Sequence, residues 1–174
     1  MSARPQPARP APLSAAEIQA RLSHSAFIRF LDLQVVSADA GREEVVMRMP
    51  MRPELERGPG SGQFHGGPIA AFIDTVGDYV LAMLLGGGVP TVNFRVDFLR
   101  PAVSAALVGT GRLRRAGRTV GVVDVDVHDA EGRLVAVGRA CYTTMPDLHA
   151  AAPGASPGPA SGASPAAPPG VNPR

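Results

Sequence analysis

From residue 67 to about 85 the large apolar side chains recur with a helical period. At about 100° per residue, Ile69, Phe72, Ile73, Val76, Tyr79, Val80, Met83 and Leu84 share one broad face. The opposite face carries Gly67, Ala70, Ala71, Asp74, Gly77, Asp78 and Leu81. This pattern predicts a helix that lays its large residues on a sheet and turns small and acidic ones toward something approaching closely. Gly86-Gly87-Gly88 ends it. Beyond the glycines the period changes to two. In Thr91–Leu99, Val92, Phe94, Val96 and Phe98 point one way and Thr91, Asn93, Arg95 and Asp97 the other, until Pro101 stops the strand. Residues 105–115 and 119–128 pair around Ala116-Gly117-Arg118, with Val123, Val125 and Val127 alternating against Asp124, Asp126 and His128. Asp129-Ala130-Glu131-Gly132 turns into a last strand over about 133–145.

Upstream, residues 33–38 and 43–49 read as strands around the turn Asp39-Ala40-Gly41-Arg42. Ser14-Ala15-Ala16-Glu17 fits a capping box that opens a short helix over about 15–22. Phe27, Phe30 and Leu31 form an apolar cluster expected to cover the core. Residues 50–64, with three prolines and several glycines, read as a loop long enough to be functional. Two strands, one long helix and an antiparallel meander make an α+β fold in which one sheet buries a single helix.

Composition sharpens the boundaries. The chain has 174 residues with 18 prolines and 20 glycines, unevenly placed. Residues 1–13 and the Ala/Pro/Gly/Ser-rich stretch 147–174 cannot bury enough apolar surface to offset ordering, so both are expected to be disordered tails flanking one domain at 14–146. A domain of about 130 residues is modest and gains from oligomerising. All 17 basic residues are arginine, yet a net charge of +2, evenly spread, does not suit nucleic acid. Cys141 is alone, so neither a disulfide framework nor a cysteine metal site is expected. Met1–Arg21 lacks the apolar region of a secretory signal, and no run approaches the roughly 20 apolar residues of a membrane span. The expected location is the cytoplasm.

The candidate chemistry sits where loop meets helix. Phe64-His65-Gly66-Gly67-Pro68 opens the long helix, and Asp74 follows in apolar surroundings. Bare N–H groups at a helix start bind an oxyanion, and a carboxylate on a buried helix is costly unless paired or used. Together they suggest acyl transfer or hydrolysis. A serine or cysteine nucleophile has no support: there is no Gly-x-Ser-x-Gly, and Cys141 has no evident histidine partner. His65, Asp74 and Asp78 lack metal-binding spacing, so no metal or cofactor is expected.

His65-Gly66-Gly67, Asp74 nine residues after the histidine, Thr91–Leu99 closed by Arg100-Pro101, Arg115-Ala116-Gly117-Arg118, and Glu131-Gly132-Arg133-Leu134 occur in one order and spacing. In this respect the segment 27–145 resembles hotdog-fold acyl-CoA thioesterases, in the branch of phenylacetate-pathway and 4-hydroxybenzoyl-CoA thioesterases. The resemblance implies a curved antiparallel sheet around the helix, dimers joined edge to edge, active sites at the subunit interface, and dimers pairing into tetramers. It implies Asp74 as the catalytic carboxylate, activating water or attacking the thioester itself. Gly66 and Gly67 would polarise the carbonyl, with His65 shaping the turn or acting directly and Thr91 placing the water. Asn93, Arg100, Arg115 and Arg118, with Arg114 nearby, become candidates for binding the acyl-CoA. Relatives often carry an Asn or Gln six residues before the histidine; here Pro59 stands there, and Gln63 or Glu56 is the nearest replacement.

Seven residues separate Gly67 from Asp74, about 10 Å along one helix. A carbonyl bound at one helix start is therefore hard for that helix's own Asp74 to reach, and an antiparallel partner helix can supply the acid instead. Besides hydrolysis, two other readings fit: a catalytically silent acyl-CoA-binding protein, favoured by Pro59, and a hotdog enoyl-CoA hydratase, disfavoured by the spacing.

Overall fold

The computed structural model describes residues 10–145. Of the expected tails, 1–9 and 147–174 lie outside the described residues. Residues 10–13 do not: Leu13 is buried and its N–H donates to the Met83 carbonyl at 3.0 Å, so the folded part begins before Ser14.

The chain runs α1 (Ala15–Leu22), α2 (Ala26–Leu31), β1 (Gln34–Asp39), β2 (Glu44–Pro50), a 3-10 turn (Pro53–Leu55), α3 (Gly66–Leu85), β3 (Thr91–Phe98), β4 (Ala106–Ala116), β5 (Val120–Asp129) and β6 (Leu134–Thr143). Helix α1 starts on the expected capping box, with Ser14 and Glu17 bonded reciprocally. One antiparallel sheet of six strands, ordered β1-β2-β4-β5-β6-β3, wraps α3. β1 and β3 are its edges.

The sheet holds the helix closely because its inner face is hollowed by glycine. A Cβ on Gly109 or Gly111 in β4, or on Gly121 in β5, would meet Phe72, Val76, Val80 or Leu81 within 3.0 Å, and one on Gly138 in β6 would stand 2.3 Å from Ile73. Between these gaps Val45, Met47 and Met49 of β2 and Val123, Val125 and Val127 of β5 fill the core. The closeness corrects the two-faced reading of α3. Leu81 and Gly77, expected on the open side, are buried, Leu81 against Gly121 and Gly77 beneath Tyr142 of β6. Only Gly67, Ala70, Ala71, Asp74 and Asp78 of that side keep exposure. With 20 residues and a mean hydropathy of 1.5, α3 also has the length and apolarity of a membrane span, contrary to the sequence reading; ten of its residues are buried in this fold.

Two further corrections concern the surface. In α2, Leu31 is buried, but Phe27 and Phe30 face outward, with Arg52 stacked over the Phe30 ring. In β3 the alternation is interrupted: the register slips between Thr91 and Asn93, leaving Val92 in a bulge. Thr91 pairs with the inward Tyr142, and Phe94, Val96 and Phe98 pair with Ala140, Gly138 and Ala136, also inward. Thr91 therefore shares the helix side with the apolar residues it was expected to oppose, while Asn93, paired with Cys141, lies on the outer side.

Candidate active site

The site residues fall into two groups, one at the start of α3 and one near its middle. At the helix start, His65 is the N-cap, and its Nδ1 accepts the Gly67 N–H at 3.1 Å. The His65 N–H donates to the Leu55 carbonyl at 2.8 Å, which ties the helix start to the 3-10 turn. This bonding braces the turn. It also engages the Gly67 donor, so of the two glycines Gly66 is the one whose N–H has no acceptor among the described residues. Gly66 lines a groove of about 380 Å³ together with Gln63, His65, Phe98, Arg57 and Arg100. A side chain at Gly66 would press on the Phe98 ring at 3.3 Å.

The loop before the histidine is held from within. The Glu56 carboxylate accepts the N–H groups of Gly60 and Gly62 at 2.6 and 2.9 Å, so Glu56 is occupied as a brace for the turn containing Pro59. Gln63 remains as the loop amide that borders the groove.

The second group lies about 12 Å along the helix, eight residues beyond Gly66. Asp74 Oδ1 accepts the Thr91 hydroxyl at 3.0 Å, and the Asp74 carbonyl accepts the Tyr142 hydroxyl at 2.9 Å. Burial raises the Asp74 carboxyl above the ordinary carboxylate range, while the hydroxyls of Thr91 and Tyr142 pull it back. One turn on, Asp78 Oδ1 accepts the Val89 N–H at 3.2 Å. Burial pushes Asp78 up to about 7, against the Val89 bond and with a smaller contribution from the Asp74 charge. Asp78 thus has both a structural bond and a raised carboxyl. None of Asp74, Asp78 and Thr91 borders the Gly66 groove.

The arginines divide in the same way. β3 runs from Thr91, opposite Tyr142, to Phe98, opposite Ala136, and β5 starts with Val120 opposite Thr143. The Ala116–Thr119 hairpin with Arg115 and Arg118 is therefore at the Thr91 end, and Arg100 at the other, about 25 Å away along eight strand residues. Arg114 is paired with Asp124 at 2.7 Å, while Arg115 and Arg118 are exposed. Asn93, on the outer side of the sheet, is not brought to either group.

Tyr142 was missed at the sequence level, where it is one apolar position in a strand. Its signal was present: a tyrosine at an inward position must find a partner for its hydroxyl. What could not be read was that the partner is the main chain of Asp74. Among the described residues no group of three His, Cys, Asp or Glu side chains could hold a metal ion.

The sequence pattern described as the thioesterase superfamily matches residues 61–136. A protein of Halobacterium salinarum, provisionally named an esterase, is 34% identical over 145 residues, which is 77% of this chain and 94% of the relative. Over 52 residues, 30% of this chain and 34% of the relative, the medium/long-chain acyl-CoA thioesterase YigI of Escherichia coli K12 is 38% identical. A solved structure from the thioesterase superfamily superimposes with a TM-score of 0.68 at 35% identity, covering 74% of this chain and 97% of that one. The match to a relative over nearly its whole length, and the same helix-in-sheet architecture at 35% identity, place this chain in the thioesterase superfamily with its hotdog fold.

Proposed function

We propose that the protein hydrolyses an acyl-CoA thioester, with Asp74 acting across a dimer interface on a carbonyl held at the partner's helix start. The observation that carries this reading is the division of one chain into two half-sites. A groove with the Gly66 donor stands at the start of α3, and a hydroxyl-held, half-buried carboxylate stands about 12 Å along it, near the middle of the helix. A two-fold axis beside the exposed β3 edge would set the two α3 helices antiparallel and bring each groove to the other subunit's Asp74. The same operation would bring Arg100 to the partner subunit's hairpin that carries Arg115 and Arg118, a basic pair of sites suited to coenzyme A phosphates.

In this mechanism the thioester oxygen accepts the Gly66 N–H at the positive end of α3, and Gln63 orients the attacking water from the loop. Asp74 takes a proton as water oxygen bonds to the carbonyl carbon. Collapse of the tetrahedral intermediate breaks the C–S bond, and the thiolate leaves, taking up that proton to give CoA and the free acid. Thr91, on Asp74 Oδ1, fixes which carboxylate oxygen faces the water. Direct attack by Asp74 on the carbonyl would use the same residues and pass through an anhydride. The narrower assignment to the phenylacetate and 4-hydroxybenzoyl-CoA branch is supported by the spacing of His65-Gly66-Gly67 and Asp74, and the shorter match to an acyl-CoA thioesterase supports the CoA ester.

The test is thiol release from aryl-, short- and medium-chain acyl-CoAs by the wild type and Asp74→Ala. Loss of the base is expected to lower kcat by at least about 100-fold. Near-normal turnover by Asp74→Ala would end the assignment. A second reading, an acyl-CoA-binding protein without turnover, is favoured by Pro59 in place of the loop amide. Tight CoA-ester binding with substoichiometric thiol release would establish it.

A further inference from the structure

Tyr142 is fully buried, and its hydroxyl has a particular seat. A Cβ on Gly77 would stand 2.2 Å from that hydroxyl and 3.1 Å from Cζ, so the tyrosine fits only because residue 77 has no side chain. Glycine inside a helix is otherwise unfavourable, and α3 keeps it where β6 must enter. From that seat the hydroxyl reaches the Asp74 carbonyl at 2.9 Å. The residue opposite Tyr142 in the β3–β6 register is Thr91, whose hydroxyl donates to the Asp74 carboxylate at 3.0 Å. Thr91 can do so because the Val92 bulge turns it to the helix side.

We propose that Tyr142, seated over Gly77, is a positioning residue for the reaction: with its cross-strand partner Thr91 it grips Asp74 at both ends, main chain and carboxylate, and fixes the base relative to the β3 edge. This rests on the reading of Asp74 as the hydrolytic carboxylate. The physical case is one of tolerance. A general base acts only within hydrogen-bond reach of its proton, and displacement by about 1 Å costs on the order of 100-fold in rate. Thr91 alone constrains one oxygen at the end of a side chain with two rotatable bonds. Fixing the carbonyl of the same residue from the adjacent strand prevents α3 from sliding or rolling beneath that bond. Both contacts come from one strand pair at the sheet edge, so the base moves with the edge strand.

The experiment measures kcat and KM for thiol release with the best acyl-CoA, and thermal unfolding, for Tyr142→Phe, Gly77→Ala and the double variant. Tyr142→Phe is expected to lower kcat about tenfold with KM within twofold. Gly77→Ala, which evicts the hydroxyl, should do the same, and the double variant should lose much less than the product of the two losses. A kcat within twofold of wild type in Tyr142→Phe, whatever its melting temperature, overturns the proposal; so does a change confined to KM. Thr91 is exposed, so Thr91→Val and Thr91→Ser keep the question decidable if the buried variants do not fold. Thr91→Val should lower kcat about tenfold at constant KM and Thr91→Ser restore it, and equal rates for all three residues overturn the two-point grip. If Asp74→Ala abolishes turnover while Tyr142→Phe does not alter it, only the positioning role fails; if Asp74→Ala is active, both fail.

Discussion

Asp78 is the residue whose burial costs the fold most visibly. Its carboxyl, pushed up to about 7 by desolvation, titrates near 4 in the unfolded chain. Below about pH 4 both states hold the proton. Between about 4 and 7 the unfolded chain releases it and the folded one keeps it, so stability falls as pH rises through that window and levels off above it. Three units correspond to an upper bound of about 4 kcal/mol. Asp78→Asn keeps an acceptor for the Val89 N–H and removes the charge. It is expected to flatten the fall between pH 5 and pH 8 and to raise stability at pH 8 by about 2–4 kcal/mol in urea unfolding. A wild type whose stability is flat over that range would show that Asp78 carries no such penalty. The raised Asp74 carboxyl acts in the same direction, and it places the acid limb of the proposed hydrolysis above the ordinary carboxylate range.

At the scale of elements, the contact between α3 and the sheet depends on what the strands omit. Gly138 faces Ile73 so closely that Gly138→Ala would place Cβ 2.3 Å from Cγ2. Overpacking of this kind is expected to destabilise by about 1–3 kcal/mol in chemical denaturation. Gly87, with open space around it, is the control: Gly87→Ala should stay within about 0.5 kcal/mol of wild type. Equal effects at the two sites would mean that helix–sheet approach is not what the inner glycines serve. The strands themselves were legible from their period, and β5 alternates as read, with Val123, Val125 and Val127 inward and Asp124, Asp126 and His128 outward. The Val92 bulge was not legible. A period-2 pattern holds only while each residue has one partner, and the bulged residue reverses every face assignment before it.

For the whole molecule, the β3 edge is the feature that a monomer leaves unresolved. Val92, Phe94, Phe98 and, just past the strand, Leu99 are all exposed along an edge strand paired on one side only, an arrangement that invites pairing with another chain. The proposed dimer predicts a solution mass of twice 18.0 kDa or a multiple of it. Phe94→Asp, at a residue that does not line the groove, should dissociate it and abolish turnover together, as seen by light scattering and thiol release on the same samples. A monomeric variant with full activity would show that one chain is sufficient and that Asp74 is not shared.

The sequence by itself determined the elements and the chemistry on offer. Helical and strand periods, the capping box at Ser14 and the glycines flanking α3 are local devices, and each operates through neighbours within a few residues. The same local reading placed Asp74 and the His65-Gly66-Gly67 turn. Tertiary structure decided which of these groups meet. It put Thr91 and Tyr142 on Asp74, sent Asn93 to the outer side and set Arg100 apart from Arg115 and Arg118. The reason is that each of these outcomes depends on strand register and on the depth of a helix in a sheet. Those are fixed by packing between residues up to 68 positions apart, which no local pattern encodes.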